Sequence, residues 1–190
     1  MPSAAQPSTS DLPVAAARQG DAQAWDTLLR RFQLPLFSYV MDLVHHRATS
    51  LDLVQEVFLR ATQHLPSLRE DQRFGAWLFG IAHQQVIQHW RRQGRSPFSD
   101  EPVPEDVSDD SASPDGDAMR DEDAAELLRA MDQLPLPQRS VILLHFLEDF
   151  PLAEIATITG ASLGTVKSRL HYAKRALRQR LNPQCSERDP

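Results

Sequence analysis

Cysteine is almost absent: Cys185 stands alone in 190 residues, close to the C-terminal end. That excludes a disulfide framework and a cysteine-rich zinc site. Glycine is scarce too, with 7 residues, so a turn-rich β-sandwich is not expected. Val and Ile together number 15, against 45 for Leu and Ala. Unbranched side chains lose less rotamer freedom in a helix, so this balance favours helix over sheet. No apolar run approaches the ~18 residues of a membrane span, and no membrane insertion is expected. Residues 1–19 mix Pro, Ser, Ala and Gln without a basic start and an apolar block. They do not have the form of a secretion signal and read as a loose tail. A cytoplasmic protein is expected, and no motif calls for a cofactor.

What is present is unevenly distributed. The net charge of -6 conceals three blocks: residues 1–95 carry +2, residues 96–126 carry -11 and residues 127–190 carry +3. Two mildly basic segments therefore flank one strongly acidic segment. The acidic stretch contains Pro97, Pro102, Pro104 and Pro114 and almost no bulky apolar residue after Phe98. Such a stretch buries too little surface to offset its ordering entropy. It reads as a flexible acidic linker at 96–123, with a plain solubilising role as the alternative.

Helical periodicity fills both flanks. Asp21 is placed to cap a helix carrying Trp25, Leu28, Leu29 and Phe32, which Pro35 should end. Leu36 to Val44 reads as a second helix. Ser50 should cap a third, with Leu51, Val54 and Phe58 on one side and Pro66 beyond its end. After a loop from Ser67 to Arg73, a fourth helix is expected from Phe74 to Arg92. Four more follow: Asp123 to Gln133, Pro137 to Glu148, Leu152 to Thr159 and Leu163 to Leu181. The expected class is all-α, with two small helical domains. Their bounds are a tail at 1–17, a domain at 18–95, the linker, a domain at 124–182 and a tail at 183–190.

The last two helices have helix-turn-helix form. Ala156 is small where a second helix must approach, Gly160 permits the turn, and Ser162 can cap the next helix. At roughly 100° per residue, Leu163, Val166, Leu170, Ala173, Leu177 and Leu181 fall within about 80° of one another as one buried stripe. Thr165, Ser168, His171, Tyr172 and Arg175 lie opposite and offer hydrogen-bonding groups to base edges in a major groove. Lys167, Lys174 and Arg178 occupy one flank, Arg169 and Arg180 the other, where phosphates would pass. From Leu163 to Asn182 there are six basic residues and no acidic one, which a merely solvated helix seldom shows.

Two motif sets in order resemble a known family. Glu154-Ile-Ala, Gly164-Thr-Val-Lys-Ser-Arg-Leu170, Ala173 and Leu177, preceded by Leu134-Pro-Leu-Pro-Gln-Arg139, resemble region 4 of sigma-70-type factors of the extracytoplasmic-function (ECF) group. Gly20-Asp21, Ala24-Trp25, Asp52-Leu-Val-Gln-Glu-Val-Phe58, Phe74, Trp77-Leu-Phe-Gly-Ile-Ala82 and Arg91-Arg92 resemble region 2. Together the matched segments cover residues 18–95 and 124–182.

The resemblance implies a non-catalytic subunit of RNA polymerase that directs promoter-specific initiation by reading -35 and -10 elements and helping to melt DNA. It implies as partners core polymerase (the β′ coiled coil and the β subunit), promoter DNA and an anti-sigma factor. Asp52, Leu53, Gln55, Glu56 and Phe58 would bind the polymerase. Arg69, Arg73, Phe74, Trp77, Gln84, Gln88, Arg91 and Arg92 would serve the -10 element and its melting, with an aromatic and amides suited to unpaired bases. Ser162, Thr165, Lys167, Ser168, His171, Tyr172 and Arg175 would serve the -35 element. Arg139, Arg169, Lys174 and Arg178 are assigned to phosphate contacts, with internal pairing the other option for Arg139 and Arg169. His83-Gln84 and Gln88 depart from the family's usual Arg-Asn and Asp. The acidic linker would connect the two modules or occupy a basic nucleic-acid channel of the polymerase.

Two rivals differ in class. A LuxR-type regulator would account for the helix-turn-helix but leave the patterns at Asp52–Phe58 and Phe74–Arg92 unexplained. A histidine-dependent metal hydrolase would need a ligand cluster. Yet His45-His46 cannot both face one site on a regular helix, and no His-Glu-x-x-His spacing occurs. Neither a metal site nor a catalytic residue is expected.

Overall fold

The structure, a computed structural model, describes residues 12–94 and 121–181. Most of the expected tail at 1–17, the expected linker up to residue 120 and the tail after 182 lie outside the described residues. Within the described residues the secondary structure is helical: α1 Val14–Arg18, α2 Ala22–Val44, α3 Arg47–His64, α4 Phe74–Arg92, α5 Asp121–Asp132, α6 Leu136–Phe146, α7 Leu152–Thr159 and α8 Leu163–Leu181. Short 3-10 turns at Leu65–Ser67 and Asp71–Arg73 lie between α3 and α4. The chain divides into two compact units, the first holding α1 to α4, the second α5, α6, α8 and residues 152–156 of α7.

The first unit departs from the sequence reading at three places. Residues 14–18, expected in the tail, form α1, because Val14 and Ala17 are buried against the unit. Pro35 does not end the first helix; α2 runs through it to Val44. A proline inside a helix forfeits one backbone hydrogen bond and costs ~3 kcal/mol. Beyond it, however, Leu36, Val40 and Leu43 are essentially fully buried, and each such side chain contributes roughly 1.5–3 kcal/mol. Burial therefore outweighs the proline. The cap of α3 is not Ser50 but His46, whose ring Nδ1 accepts from the Thr49 N–H at 3.3 Å. Ser50 lies one turn further in, wholly buried, and donates to the His46 carbonyl at 3.0 Å. Asp21 caps α2 as expected, its carboxylate accepting from Gln23 N at 2.8 Å and Ala24 N at 3.5 Å.

Helices α2, α3 and α4 pack against one another. Aromatic rings fix their spacing: Tyr39 meets Phe79 edge-to-face at 5.5 Å, and Phe32 meets Phe74 at 5.4 Å. The Tyr39 hydroxyl and His83 Nδ1 are 2.8 Å apart in the interior, joining α2 to α4.

In the second unit, α6 packs on α8, and α5 packs on α8. Val141, Leu143, Leu144, Ile155, Val166 and Ala173 form its buried centre. α5 begins at Asp121, so the last residues assigned to the linker are helical. Gly160 takes φ +66°, the left-handed conformation expected of the turn. Leu163 leaves the predicted stripe: it is 45% exposed, because it is the first residue of α8 and no helical turn precedes it. No helix of the described residues is long and apolar enough to cross a membrane.

Candidate nucleic-acid interface

Chemistry in the first unit gathers along α3 and along α4 with the loop before it. On α3, Asp52 and Gln55 are exposed, Leu53 and Glu56 are partly covered, and Phe58 is buried. Phe58 therefore supports the helix from behind instead of presenting a ring to a partner. Glu56 accepts from Arg60 Nε at 2.7 Å, an i,i+4 pair that sets its direction. Leu51 does not share the burial of Val54 and Phe58: it is 50% exposed, and Leu59 is 52% exposed. The two leucines flank Gln55 one turn on either side.

On α4, Leu78, Phe79, Ala82 and Val86 are buried as their spacing requires. Trp77, Gln84, Gln88 and Arg91 share the other face: Gln84 and Arg91 are exposed, Trp77 and Gln88 half-buried. Arg92 is exposed at the helix end, and Arg69 and Arg73 are exposed in the preceding loop. Arg73 Nε pairs with Glu70 at 2.8 Å. Phe74 does not join them. It has no exposed surface and lies between Phe32 and Trp77, whose ring centroid is 5.8 Å away at a tilt of 46°. It is an anchor for the start of α4, not a ring offered to bases. Near the helix end, burial, the charge of Arg92 and His46 together hold the His89 imidazole below its ordinary 6.5. At neutral pH the positive charge there belongs to Arg91 and Arg92.

The second unit offers one helix face. Ser162 caps α8, accepting from Thr165 N at 3.1 Å, and the two hydroxyls are 2.8 Å apart. His171 and Arg175 are exposed, Thr165, Lys167 and Tyr172 half-buried. Ser168 is the exception on this face: it is buried and lies in a groove of about 420 Å³ together with Leu134, Gln138, Tyr172 and Arg175. A residue with so short a side chain does not clear its neighbours there. On the flanks, Arg178 is exposed and Arg169 is half-buried. Lys174 extends over the Phe146 ring, 5.4 Å from its centroid. Arg180 donates to Gln133 Oε1 at 3.1 Å, tying α8 to the end of α5.

Arg139 takes the internal option. Its side chain is 10% exposed, and its guanidinium donates to the Leu134 carbonyl at 3.1 Å and to the Asp132 carbonyl. Carbonyls at a helix C-terminus lack intrahelical donors, and a guanidinium supplies several. Arg139 thus closes α5 and is not available to a phosphate. Among the described residues no cluster of three or more His, Cys, Asp or Glu is arranged to hold a metal ion.

The family models "Sigma-70 region 2" and "Sigma-70, region 4" match residues 28–96 and 124–177. The first match falls on the part that a LuxR-type regulator leaves unexplained, and that reading is set aside. The RNA polymerase sigma-H factor of Pseudomonas aeruginosa is 30% identical over 92% of this chain and 94% of its own length. The ECF RNA polymerase sigma factor SigL of Mycobacterium tuberculosis is 33% identical over 87% of this chain and 93% of its own. Among solved structures, that of the sigma factor RpoE in complex with the anti-sigma factor NepR from Bartonella quintana superposes with a TM-score of 0.62. It is 24% identical and covers 83% of this chain and 98% of that one, which establishes the shared fold. Two region models in the right order and relatives alike over nearly their whole length lead to one conclusion: the chain belongs to the ECF group of the sigma-70 family, the promoter-recognising factors of bacterial transcription initiation.

Proposed function

We propose that the two units divide promoter recognition between them, with residues 18–95 serving the polymerase and the -10 element and residues 124–182 the -35 element. The exposed strip of α3, with Asp52 and Gln55 between Leu51 and Leu59, docks on the β′ coiled coil of core RNA polymerase. Carboxylates there fix register and partner choice more than they add affinity. Trp77, Gln84, Gln88, Arg91 and Arg92, with Arg69 and Arg73, take up unpaired bases and backbone of the -10 element. His171, Tyr172 and Arg175 read base edges of the -35 element, with Thr165 and Lys167 beside them and Arg169, Lys174 and Arg178 toward phosphates.

The observation that carries this reading is the division of α8. Val166, Leu170 and Ala173 of its apolar stripe are buried and Leu177 and Leu181 half-buried, while His171 and Arg175 stand exposed on a helix whose start is capped. A regular helix with such a face fits a major groove. The chain acts as a non-catalytic subunit in the cytoplasm. An anti-sigma protein restrains it, as NepR is found with RpoE, by covering the surfaces that polymerase needs.

Transcription in vitro with core polymerase on a randomised promoter library tests the assignment. The full chain should select a two-part promoter. Arg175→Ala should relax selection at one or two -35 positions, and Gln84→Ala with Gln88→Ala should relax it in the -10 element. Selection unchanged in either variant would remove that helix from base reading.

A further inference from the structure

We propose that Arg18, on the short helix α1, is a positioning residue for DNA melting, holding the loop between α3 and α4 in the shape that presents Arg69 and Arg73. This inference rests on the assignment of that loop to the -10 element.

The loop runs from Leu65 to Phe74, and both ends are anchored in the interior, Leu65 at 1% exposure and Phe74 at 0%. Between them the backbone has no regular ladder to hold it. Its local bonds are Leu68 N to the Leu65 carbonyl at 3.1 Å and Arg73 N to the Glu70 carbonyl at 3.0 Å. With the Phe74 N–H bond to the Asp71 carbonyl and the Arg73–Glu70 ion pair, these close two separate turns but join neither turn to the other. Arg18 supplies a brace between them from fifty residues away. Its Nη2 donates to the Leu68 carbonyl at 3.1 Å and also to the Asp71 carboxylate, which it meets as an ion pair. One guanidinium thus ties down the last residue before the exposed stretch and the first residue of the 3-10 turn that leads to Arg73.

The brace is itself fixed. Val14 and Ala17 are buried, so α1 cannot slide along the unit. The Arg18 and Asp71 side chains are 30% and 38% exposed, so the pair is partly shielded. Both bonds leave one nitrogen, Nη2, which lies one bond further from the backbone than a lysine ammonium, so a lysine does not reach both acceptors alike. The charge matters as well. Without Arg18, the Asp71 carboxylate would stand uncompensated among groups meant to approach DNA phosphate. Capture of a flipped base has to offset the cost of unstacking it, a few kcal/mol, and a loop that must first be ordered contributes less toward that cost.

The test uses holoenzyme reconstituted from the full chain, on a promoter selected with the wild-type protein from a randomised library. Opening of the -10 element is followed by permanganate reactivity of its thymines. Core affinity and thermal unfolding of the free protein are measured alongside. Arg18→Ala should slow opening by roughly tenfold, the effect of losing one charged hydrogen-bonded pair, with core affinity within about twofold of wild type. Arg18→Lys should recover less than half of the lost rate on a logarithmic scale. Opening unchanged in Arg18→Ala overturns the proposal. So does a fall in opening that merely tracks lost core affinity or lost thermal stability, since a general structural role would do the same. If the wild-type holoenzyme leaves the -10 thymines unreactive while still initiating, the assignment of the loop fails first, and the proposal with it.

Discussion

The two candidate DNA surfaces are built on opposite plans. In the first unit the exposed arginines Arg69 and Arg73 sit in an irregular loop, held at its ends by buried Leu65 and Phe74 and from the side by Arg18. In the second, the exposed groups sit on a regular helix whose start is closed by Ser162. A duplex groove has a fixed shape, and a straight helix matches it with no long-range support. Unpaired bases have no such shape and need groups converging from several directions. The first surface therefore depends on distant residues, the second on local ones.

Four substitutions test that contrast. The largest effect is expected at Phe74→Ala. Removing a wholly buried ring should cost ~3–5 kcal/mol, lowering the unfolding midpoint in denaturant and disordering the loop that it anchors. A mild effect would show the loop to be supported without the ring. Next comes Arg175→Ala on α8. Losing one base-edge contact should cost ~1–3 kcal/mol of discrimination at its position, read as relaxed preference in library selection, with thermal stability unchanged. Stability falling together with preference would mean that Arg175 supports the fold. Ser162→Ala removes the α8 cap and should cost ~1 kcal/mol. The change should appear as faster amide exchange at the first turn of α8 while the first unit is untouched.

The smallest effect concerns pH. Burial, Arg92 and His46 keep the His89 proton affinity below the ordinary value of 6.5, so the folded protein binds fewer protons there than the unfolded chain. Stability contributed at neutral pH is then lost as pH falls through 6.5 toward the lowered native value. His89→Gln should flatten the dependence of melting temperature on pH in that window. An equal slope in both proteins would locate the acid sensitivity elsewhere.

Local signals were legible wherever the structure is local. The bounds of α4, α7 and α8, the Asp21 cap, the Gly160 turn and the Ser162 cap all followed from patterns within a few residues. Misreadings share one cause. Pro35 marks a helix end by propensity, yet the buried residues beyond it carry α2 onward. Ser50 is a better cap by type than His46, yet it is needed inside, against Met41 and the His46 carbonyl. Arg139 had two roles open, phosphate contact or internal pairing, and the carbonyls at the end of α5 decide for the second. In each, the packed surroundings decided between two locally acceptable roles.

Helical class, the order of the two modules and the family were all readable along the chain, because periodicity and short motifs are properties of neighbouring residues. Only the tertiary structure decided that Phe74 and Phe58 are supports, that Leu51 and Leu59 are surface, and that Arg18 reaches Leu68 and Asp71. Which groups meet across fifty residues of chain depends on how helices pack, and packing depends on the shape of all the side chains together.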